Sequence, residues 1–487
     1  MAARLLSLHR LFPFPLLLLP LFFSIPFTNG SLHYETLHLF PLQNPTPVSH
    51  SSLLTETLTL DAASATSLHL RIAHRDALFP SNSTPDATFL RRLSRDTYRV
   101  SSLTSSAHPK PNSTARPSAG SGFTSPVISG LSHGSGEYFT RIGIGTPATS
   151  SFMVLDTGSD IIWLQCAPCH HCYTQVDPVY DPRRSHSYSV VPCLSPVCRH
   201  LDSPGCDTRR RSCLYEVSYG DGSLTAGDLA TETLSFSGGA HVSGVALGCG
   251  HDNQGLFVAA AGLFGLGRGP LSFPTQSGRQ YGQRFSYCLV DRTSITAATR
   301  TSSAIFGDMA VPRNATWTPL VRNPKMETFY YVEMTGISIG GTPVAGIAAS
   351  DLKLDPMTGK GGVIIDSGTS VTRLAGPAYA AMRDAFKAGA AGLREAPGGF
   401  SLFDTCYDLS GRKVVKVPTV ALHLAGGGVV QLPAENYLIP VDTRGTFCFA
   451  FAGTESGVSI IGNIQQQGFR VVFDGVNERV GFVPRGC

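Results

Sequence analysis

Two short runs in this chain carry residue types suited to acid–base chemistry on a polar bond. Phe152-Met153-Val154-Leu155-Asp156-Thr157-Gly158-Ser159 recurs 210 residues later as Gly362-Val363-Ile364-Ile365-Asp366-Ser367-Gly368-Thr369. Each is an apolar stretch running into Asp-[Ser/Thr]-Gly-[Ser/Thr]. One copy would mean little, since most such tripeptides are plain turns. A strand that is apolar on both faces, however, should not end in an unpaired carboxylate, because burying a lone charge is costly. Asp156 and Asp366 brought together could not both ionise freely and would share a proton. One could then take a proton from water while the other donates to a substrate carbonyl. Gly158 and Gly368 allow close backbone approach. Thr157, Ser159, Ser367 and Thr369 supply hydroxyls to hold the carboxylates.

The elements that must position these residues repeat as well. Each motif is followed, roughly 100 residues on, by two apolar residues and a glycine, Leu263-Phe264-Gly265 and Ile460-Ile461-Gly462. A duplicated β lobe explains this spacing. Short β-type runs occur at Tyr138–Ile144, Phe152–Leu155, Ile161–Leu164, Val245–Leu247, Phe329–Ile339, Gly362–Ile365, Val458–Ile461 and Val471–Phe473. One stretch has helical spacing: Pro377 suits a first turn, with Tyr379, Met382 and Phe386 on one face. The expected fold class is therefore all-β with a few short helices.

Composition agrees. The 487 residues are 42% apolar and only 15% charged, with 51 glycines and 33 prolines spread along the chain, which fits many turns and short strands. Mean hydropathy is +0.06, which excludes a multi-pass membrane protein. A net charge of +4 is small for this length and gives no field that would call for nucleic acid. Arg209-Arg210-Arg211 is the one dense basic run, and it reads as a solvated turn.

Residues 1–30 read as a secretory signal: Arg4, His9 and Arg10, then an apolar run from Leu11 to Phe27 interrupted by Pro13, Pro15, Pro20 and Pro26. Those prolines argue against a stable membrane anchor. The ending Phe482–Cys487 does not read as a GPI tail. Export to an extracellular or vacuolar compartment places the twelve cysteines in oxidising surroundings. Cys166, Cys169 and Cys172 with His170 and His171 could suggest zinc, but no second Cys/His pair matches, so disulfides are expected and no metal. Asn314 heads a glycosylation sequon, as do Asn82 and Asn112.

Residues 31–122 read as a propeptide and linker. This stretch has no cysteine and ends in a Ser/Pro/Gly/Asn tract, Ser101 to Gly122, expected to be flexible. Arg71, Arg75, Arg91, Arg92, Arg95 and Arg99 outweigh Asp76, Asp86 and Asp96, with His74 beside them. A basic segment of this kind can lie across an acidic cleft and hold the chain as an inactive precursor.

On these motifs the chain resembles the pepsin-like aspartic proteases from Glu137 to Cys487, and within them the plant nepenthesin type. The plant likeness rests on the cysteine-rich stretch Cys166–Cys213, Leu247-Gly248-Cys249-Gly250, Ile365–Ser370 and Ser459-Ile460-Ile461-Gly462-Asn463. The resemblance implies a bilobal fold, with an N-terminal lobe at 137–320 and a C-terminal lobe at 321–487. The active site would lie between the lobes. It implies an aspartic endopeptidase with an Asp156/Asp366 dyad, active in acid, needing no cofactor and acting on proteins or peptides as a monomer. Tyr219-Gly220-Asp221-Gly222-Ser223 would be the flap over substrate, a reading that Asp221-Gly222 already suggests as a hairpin turn. Trp163 would be the hydrogen-bond partner of Tyr219. The family further implies the bridges Cys406–Cys448, Cys288–Cys487 and Cys172–Cys249, and leaves the pairing within 193–213 open.

Two other classes compete. Gly130-Leu131-Ser132-His133-Gly134 fits the nucleophile elbow of serine hydrolases, but it lies in a Gly/Ser-rich stretch with no strand before it. A catalytically silent relative acting as an inhibitor or binding protein is the stronger rival. Both Asp motifs and the flap tyrosine stand against it.

Overall fold

The computed structural model describes residues 32–49, 67–106, 137–219, 223–255, 259–290 and 302–487. The signal-like run, the serine-elbow motif, Asn112 and the flap tip Gly220–Gly222 lie outside these residues.

The architecture is mostly β, and the repeat in the sequence is a repeat in space. Thr149–Asp156 pairs antiparallel with Tyr138–Ile144 and parallel with Gly262–Gly265, where Gly265 faces Asp156. In the second half Val363–Ile365 pairs antiparallel with Tyr330–Val332 and parallel with Ser459–Ile461, where Ile365 faces Ile461. Both motif strands therefore lie inside sheets, covered on both faces, which is why they read as unbroken apolar runs rather than alternating ones. Ser151 to Asp156 and Val363 to Asp366 are all buried.

The halves share a floor sheet. Ser302–Gly307, Arg284–Cys288, Arg470–Asp474, Arg479–Val483 and Thr316–Val321 lie side by side in that order, all antiparallel. Phe285 stacks on Phe473 with centroids 4.6 Å apart, and Tyr330 packs on Phe473 at 4.3 Å, so aromatic rings tie the two halves together. The helix Gly376–Gly389 forms where the spacing predicts it and buries Tyr379, Met382 and Phe386.

The N-terminal stretch is built into this frame. Ser67–His74 extends the floor sheet beside Ser302–Gly307 and touches Tyr138 and Phe139 at its end. Tyr34–His38 pairs with Val414–Pro418 at the far side of the second half. Between them and the two Asp motifs in the chain runs a 22-residue helix, Pro85–Ser106. The sequence pattern offers no apolar helical period here, because the buried face mixes Arg92, Arg95, Asp96 and Arg99 with only Phe89, Leu93 and Leu103. Its last turn also corrects the linker expectation, since Ser101–Ser106 is helical.

All twelve cysteines are paired. Cys406–Cys448 and Cys288–Cys487 are bonded as the resemblance implied. Cys172–Cys249 is not. Trp163–Gln165 pairs parallel with His241–Gln254, with Leu164 opposite Cys249, and the Cys166 N–H donates to the Gly250 carbonyl at 2.8 Å. That register brings Cys166 to Cys249, with Cα atoms 5.3 Å apart, and leaves Cys172 to bond Cys169. Within the cysteine-rich stretch the pairs are Cys193–Cys206 and Cys198–Cys213. Cys249→Ser is expected to lower stability by about 2–4 kcal/mol. Disulfide mapping by mass spectrometry checks the assignment, and a Cys172–Cys249 peptide pair would overturn it.

Arg210 forks to Asp207 at 2.7 Å and to Asp228 at 2.7 and 2.9 Å, so the centre of the basic run is tied into the fold. Asn314 and Asn82 are exposed. Among the described residues no helix is long and apolar enough to cross a membrane.

Candidate active site

The two strand ends deliver their carboxylates to one point. Asp156 and Asp366 are 1% and 0% exposed, and one guanidinium nitrogen, Arg99 Nη2, donates to both. The turns that carry them interlock. Ser367 N–H donates to Thr157 Oγ1 at 2.9 Å, and Thr157 N–H points to Ser367 Oγ at 3.4 Å. The Thr157 hydroxyl lies 3.2 Å from Ser367 Oγ and 3.4 Å from Asp366 Oδ1. The pseudo-symmetry of the repeat becomes a reciprocal clasp that fixes the carboxylates relative to each other.

Each Asp also accepts from the glycine two residues on, Gly158 N–H at 3.1 Å and Gly368 N–H at 3.3 Å. A side chain at either position would crowd the carboxylates. A Cβ on Gly158 would stand 2.9 Å from Asp366 Oδ1, and one on Gly368 3.1 Å from Asp156 Oδ1. Thr369 Oγ1 donates to Asp366 Oδ2 at 2.6 Å. Ser159 does not take the matching part on Asp156, since its buried hydroxyl has no hydrogen-bond partner among the described residues. The guanidinium of Arg99 takes the outer oxygen of Asp156 instead, at 3.1 Å. Ser367 likewise serves the clasp rather than a carboxylate.

Tyr219 and Trp163 come together. Trp163 is fully buried and its indole N–H donates to the Tyr219 hydroxyl at 2.9 Å. The Tyr219 N–H closes the hairpin onto the Ser223 carbonyl at 2.8 Å.

The largest departure from expectation is how closely the N-terminal helix occupies the cleft. Arg92, Arg95, Asp96 and Arg99 recur at three- and four-residue spacing, which puts them on one helical face. That spacing was the signal available in the sequence. Arg99 Nε also donates to Asp366 Oδ2 at 3.2 Å, and the side chain is 8% exposed. Arg92 donates to Ser370 Oγ at 3.2 Å and Asn463 Oδ1 at 3.0 Å. Arg95 grips Glu137 at 2.7 and 3.0 Å and Asp76 at 3.2 Å, while His74 Nε2 lies 2.9 Å from Glu137. His74, Asp76 and Glu137 are close enough to ligate a cation, but the Arg95 guanidinium supplies the positive charge there. Leu103 belongs to one buried apolar cluster with Phe329, Tyr331 and Ile364, and Phe89 and Leu93 to another with Val371 and Phe403.

Electrostatics follow the geometry. Burial opposes the charge on Asp366, but Arg99, then Thr369 and the Gly368 N–H, outweigh it and hold the carboxyl below its ordinary value. Burial opposes Arg99 too, and Asp156 and Asp366 overcome it, raising the guanidinium above its usual range. Glu137 is held well below the carboxylate range by Arg95 and His74 in spite of burial.

Residues 138–308 match the xylanase inhibitor N-terminal family, and residues 329–484 match its C-terminal counterpart. The chain is 59% identical over 478 residues to aspartyl protease family protein 2 of Arabidopsis thaliana, covering 96% of this chain and 97% of that protein. The chain belongs to the plant pepsin-like aspartic proteases. Within that family it is also 40% identical to aspartic proteinase nepenthesin-1 of Nepenthes gracilis, over 73% of this chain and 79% of that one. Among solved structures, edgp superposes with a TM-score of 0.59 at 23% identity, covering 71% of this chain and 91% of that chain. Basic 7S globulin from soybean gives 0.55 at 20% identity, over 71% and 92%. These two show the shared fold.

Proposed function

We propose that the chain is the precursor of a secreted aspartic endopeptidase that hydrolyses peptide bonds in acid through Asp156 and Asp366. The observation that carries this is the interlocked pair of Asp-Thr/Ser-Gly turns, with both carboxylates within reach of a single nitrogen. Once the cleft is free the two aspartates share a proton, an established property of this family's dyad. The ionised one takes a proton from water as the water oxygen attacks the peptide carbonyl carbon, and the protonated one donates to the carbonyl oxygen. The resulting gem-diol collapses, the C–N bond breaks, and the amine leaves with a proton from the dyad. No metal or cofactor takes part in this reading.

The family names attached to residues 138–308 and 329–484 raise the silent-inhibitor alternative. The two intact Asp-[Ser/Thr]-Gly turns and the Tyr219–Trp163 pair favour the enzyme. In the mature protein Tyr219→Ala should lower turnover and weaken substrate binding, each by about tenfold, through loss of a lid. Steady-state kinetics on a peptide check this, and unchanged kinetics would return Tyr219 to a purely structural part.

Release of the helix should be driven by acid. In the docked arrangement Asp366 and Glu137 are held below their ordinary values, by Arg99 and by Arg95 with His74. Their contribution to docking is therefore full above the ordinary carboxyl range, about pH 4, and is lost as pH falls through the depressed values. Asp96 works the other way: burial raises it despite Arg373 and two backbone N–H groups, so its protonation resists release. The Asp366 and Glu137 contacts therefore weaken below about pH 4, where the precursor is expected to open. Asp156→Asn precursor, given a trace of active enzyme, should be cut between residues 101 and 136 only in acid. Full-length precursor as active at neutral pH as the processed form would sink this reading.

A further inference from the structure

The second half of the protein contains a strand whose partner comes from the N-terminal stretch. Val414–Pro418 pairs antiparallel with Tyr34–His38, with Val417 opposite Glu35 and Val415 opposite Leu37. Among the described residues these two strands form a sheet of their own, so Val414–Pro418 has no other strand beside it. Backbone bonds continue the pairing at both ends. His33 N–H donates to the Gly340 carbonyl at 2.8 Å, Thr419 N–H to the His33 carbonyl at 3.0 Å, and Leu39 N–H to the Lys413 carbonyl at 2.9 Å. Side chains add to it. Leu37 is 4% exposed and belongs to the buried apolar cluster that holds Val415, Val417, Leu432 and Tyr437. The Tyr437 hydroxyl donates to Glu35 Oε1 at 2.5 Å, Lys416 Nζ to Thr36 Oγ1 at 2.6 Å, and the Tyr34 hydroxyl to the Gly389 carbonyl at 3.1 Å.

These partners are separate from the ones that hold the helix Pro85–Ser106, and the strand responds to acid in the opposite sense. Burial raises the Glu35 carboxyl; the Tyr437 hydroxyl opposes the shift and Glu435 adds to it. His38 and Arg485 line the same cavity as Glu35, and Lys416 stands opposite its neighbour Thr36. A carboxyl raised by docking favours the docked strand most fully below its ordinary value, about 4.3, and that benefit is lost as pH rises through the raised value. Acid that loosens Asp366 and Glu137 from the helix therefore tightens the strand. If the strand left with the helix, Val414–Val417 would become an open sheet edge and the buried position of Leu37 would be emptied, both at a cost.

We propose that Leu32–Leu39 stays on the second half after the precursor is cut, as a separate chain of the mature protein. The inference rests on the reading of residues 31–122 as a propeptide and linker cut between 101 and 136. It adds an interaction surface to that reading, the edge Lys413–Thr419, and names its occupant as the protein's own N-terminal segment. Helix and strand divide the segment's work. The helix covers the dyad through ion pairs and leaves it in acid. The strand completes a sheet through backbone bonds and one buried apolar side chain, and remains.

The test brings full-length wild-type precursor to about pH 3.5, lets processing finish, and passes the product through a gel-filtration column at the same pH. Intact-mass analysis of the protease peak, after denaturation, should find the body together with about one N-terminal fragment per body, of any length that contains Leu32–Leu39. Leu37→Lys places a charge that persists in acid at the buried position, and should lower the retained fraction by about tenfold or more. If that variant fails to fold, hydrogen exchange on the processed wild type decides. The Val414–Val417 amides should stay as protected as in the precursor, and exchange faster by about tenfold or more would show the strand gone. Elution of the body without the fragment, or retention that Leu37→Lys leaves unchanged, would overturn the proposal while leaving the processing reading intact. A precursor that acid never cuts between 101 and 136 would instead overturn the processing reading on which the proposal rests.

Discussion

Asp156→Asn, or Asp366→Asn, in the processed protein is expected to lower kcat/KM by about 10⁴-fold or more, and the double substitution should be scarcely worse than either single one. The reason is the geometry of the pair. The two carboxylates are locked to each other through Thr157 and Ser367. Asn keeps the shape but can neither take the proton from water nor return one to the carbonyl, so removing either partner stops the unit. A single mutant that kept a substantial share of turnover would show that the residues do not act together. Thermal melts of the Asn variants should stay close to wild type, which separates lost chemistry from lost folding.

The second large effect is expected at Arg99. The Arg99→Met precursor should be active without processing, with an open fraction about 100-fold or more above wild type. Breaking a buried ion pair by removing one partner typically destabilises by about 3–5 kcal/mol. Here the cation sits between two buried carboxylates, so its loss leaves Asp156 and Asp366 facing each other against an apolar side chain. That energy falls on the docked state of the helix and not on the released one, and so shifts the equilibrium towards the open cleft. Arg99→Lys should retain most of the closure, since an ammonium keeps the charge and has donors for both carboxylates, but makes fewer bonds to them than the guanidinium does. The measurement is initial cleavage rate of a small peptide by unprocessed precursor near pH 6. Wild-type and Arg99→Met precursors of equal, low activity would show that the remaining contacts of the helix hold the cleft shut without Arg99.

Much of the site was readable because its signals are local and repeated. Asp-Thr-Gly-Ser and Asp-Ser-Gly-Thr each follow a doubly buried strand, and the later apolar-apolar-Gly runs pair with those strands in parallel at matching registers. The helix at Gly376 was readable for a similar reason, since its apolar stripe faces a core. Pro85–Ser106 was not, because its buried face is held by charge. Phe89, Leu93 and Leu103 are too sparse to give an apolar period, and Arg92, Arg95, Asp96 and Arg99 look like a solvated face until their partners are known. The basic character of the segment pointed to the cleft, but nothing local says which arginine meets the dyad. In the sequence Asp96 only offsets the net charge of the segment, yet its side chain is fully buried. The cysteine error has the same origin. Cys166, Cys169 and Cys172 are evenly spaced, and the partner of Cys249 is chosen by a parallel strand register that the spacing does not encode. Ser159 shows the limit of reading symmetry too literally, because Thr369 holds its aspartate while Ser159 leaves Asp156 to Arg99.

The measurement that bears most directly on the central claim is cleavage of a peptide library by the purified, acid-treated protein, with and without a statine-type transition-state analogue. Peptide-bond cleavage in acid that the analogue abolishes, and that disappears in the Asp156→Asn protein processed in parallel, is the result expected of an Asp156/Asp366 protease. A protein that has lost its N-terminal helix yet cuts no peptide, or one whose cleavage survives both the analogue and the substitution, would contradict it.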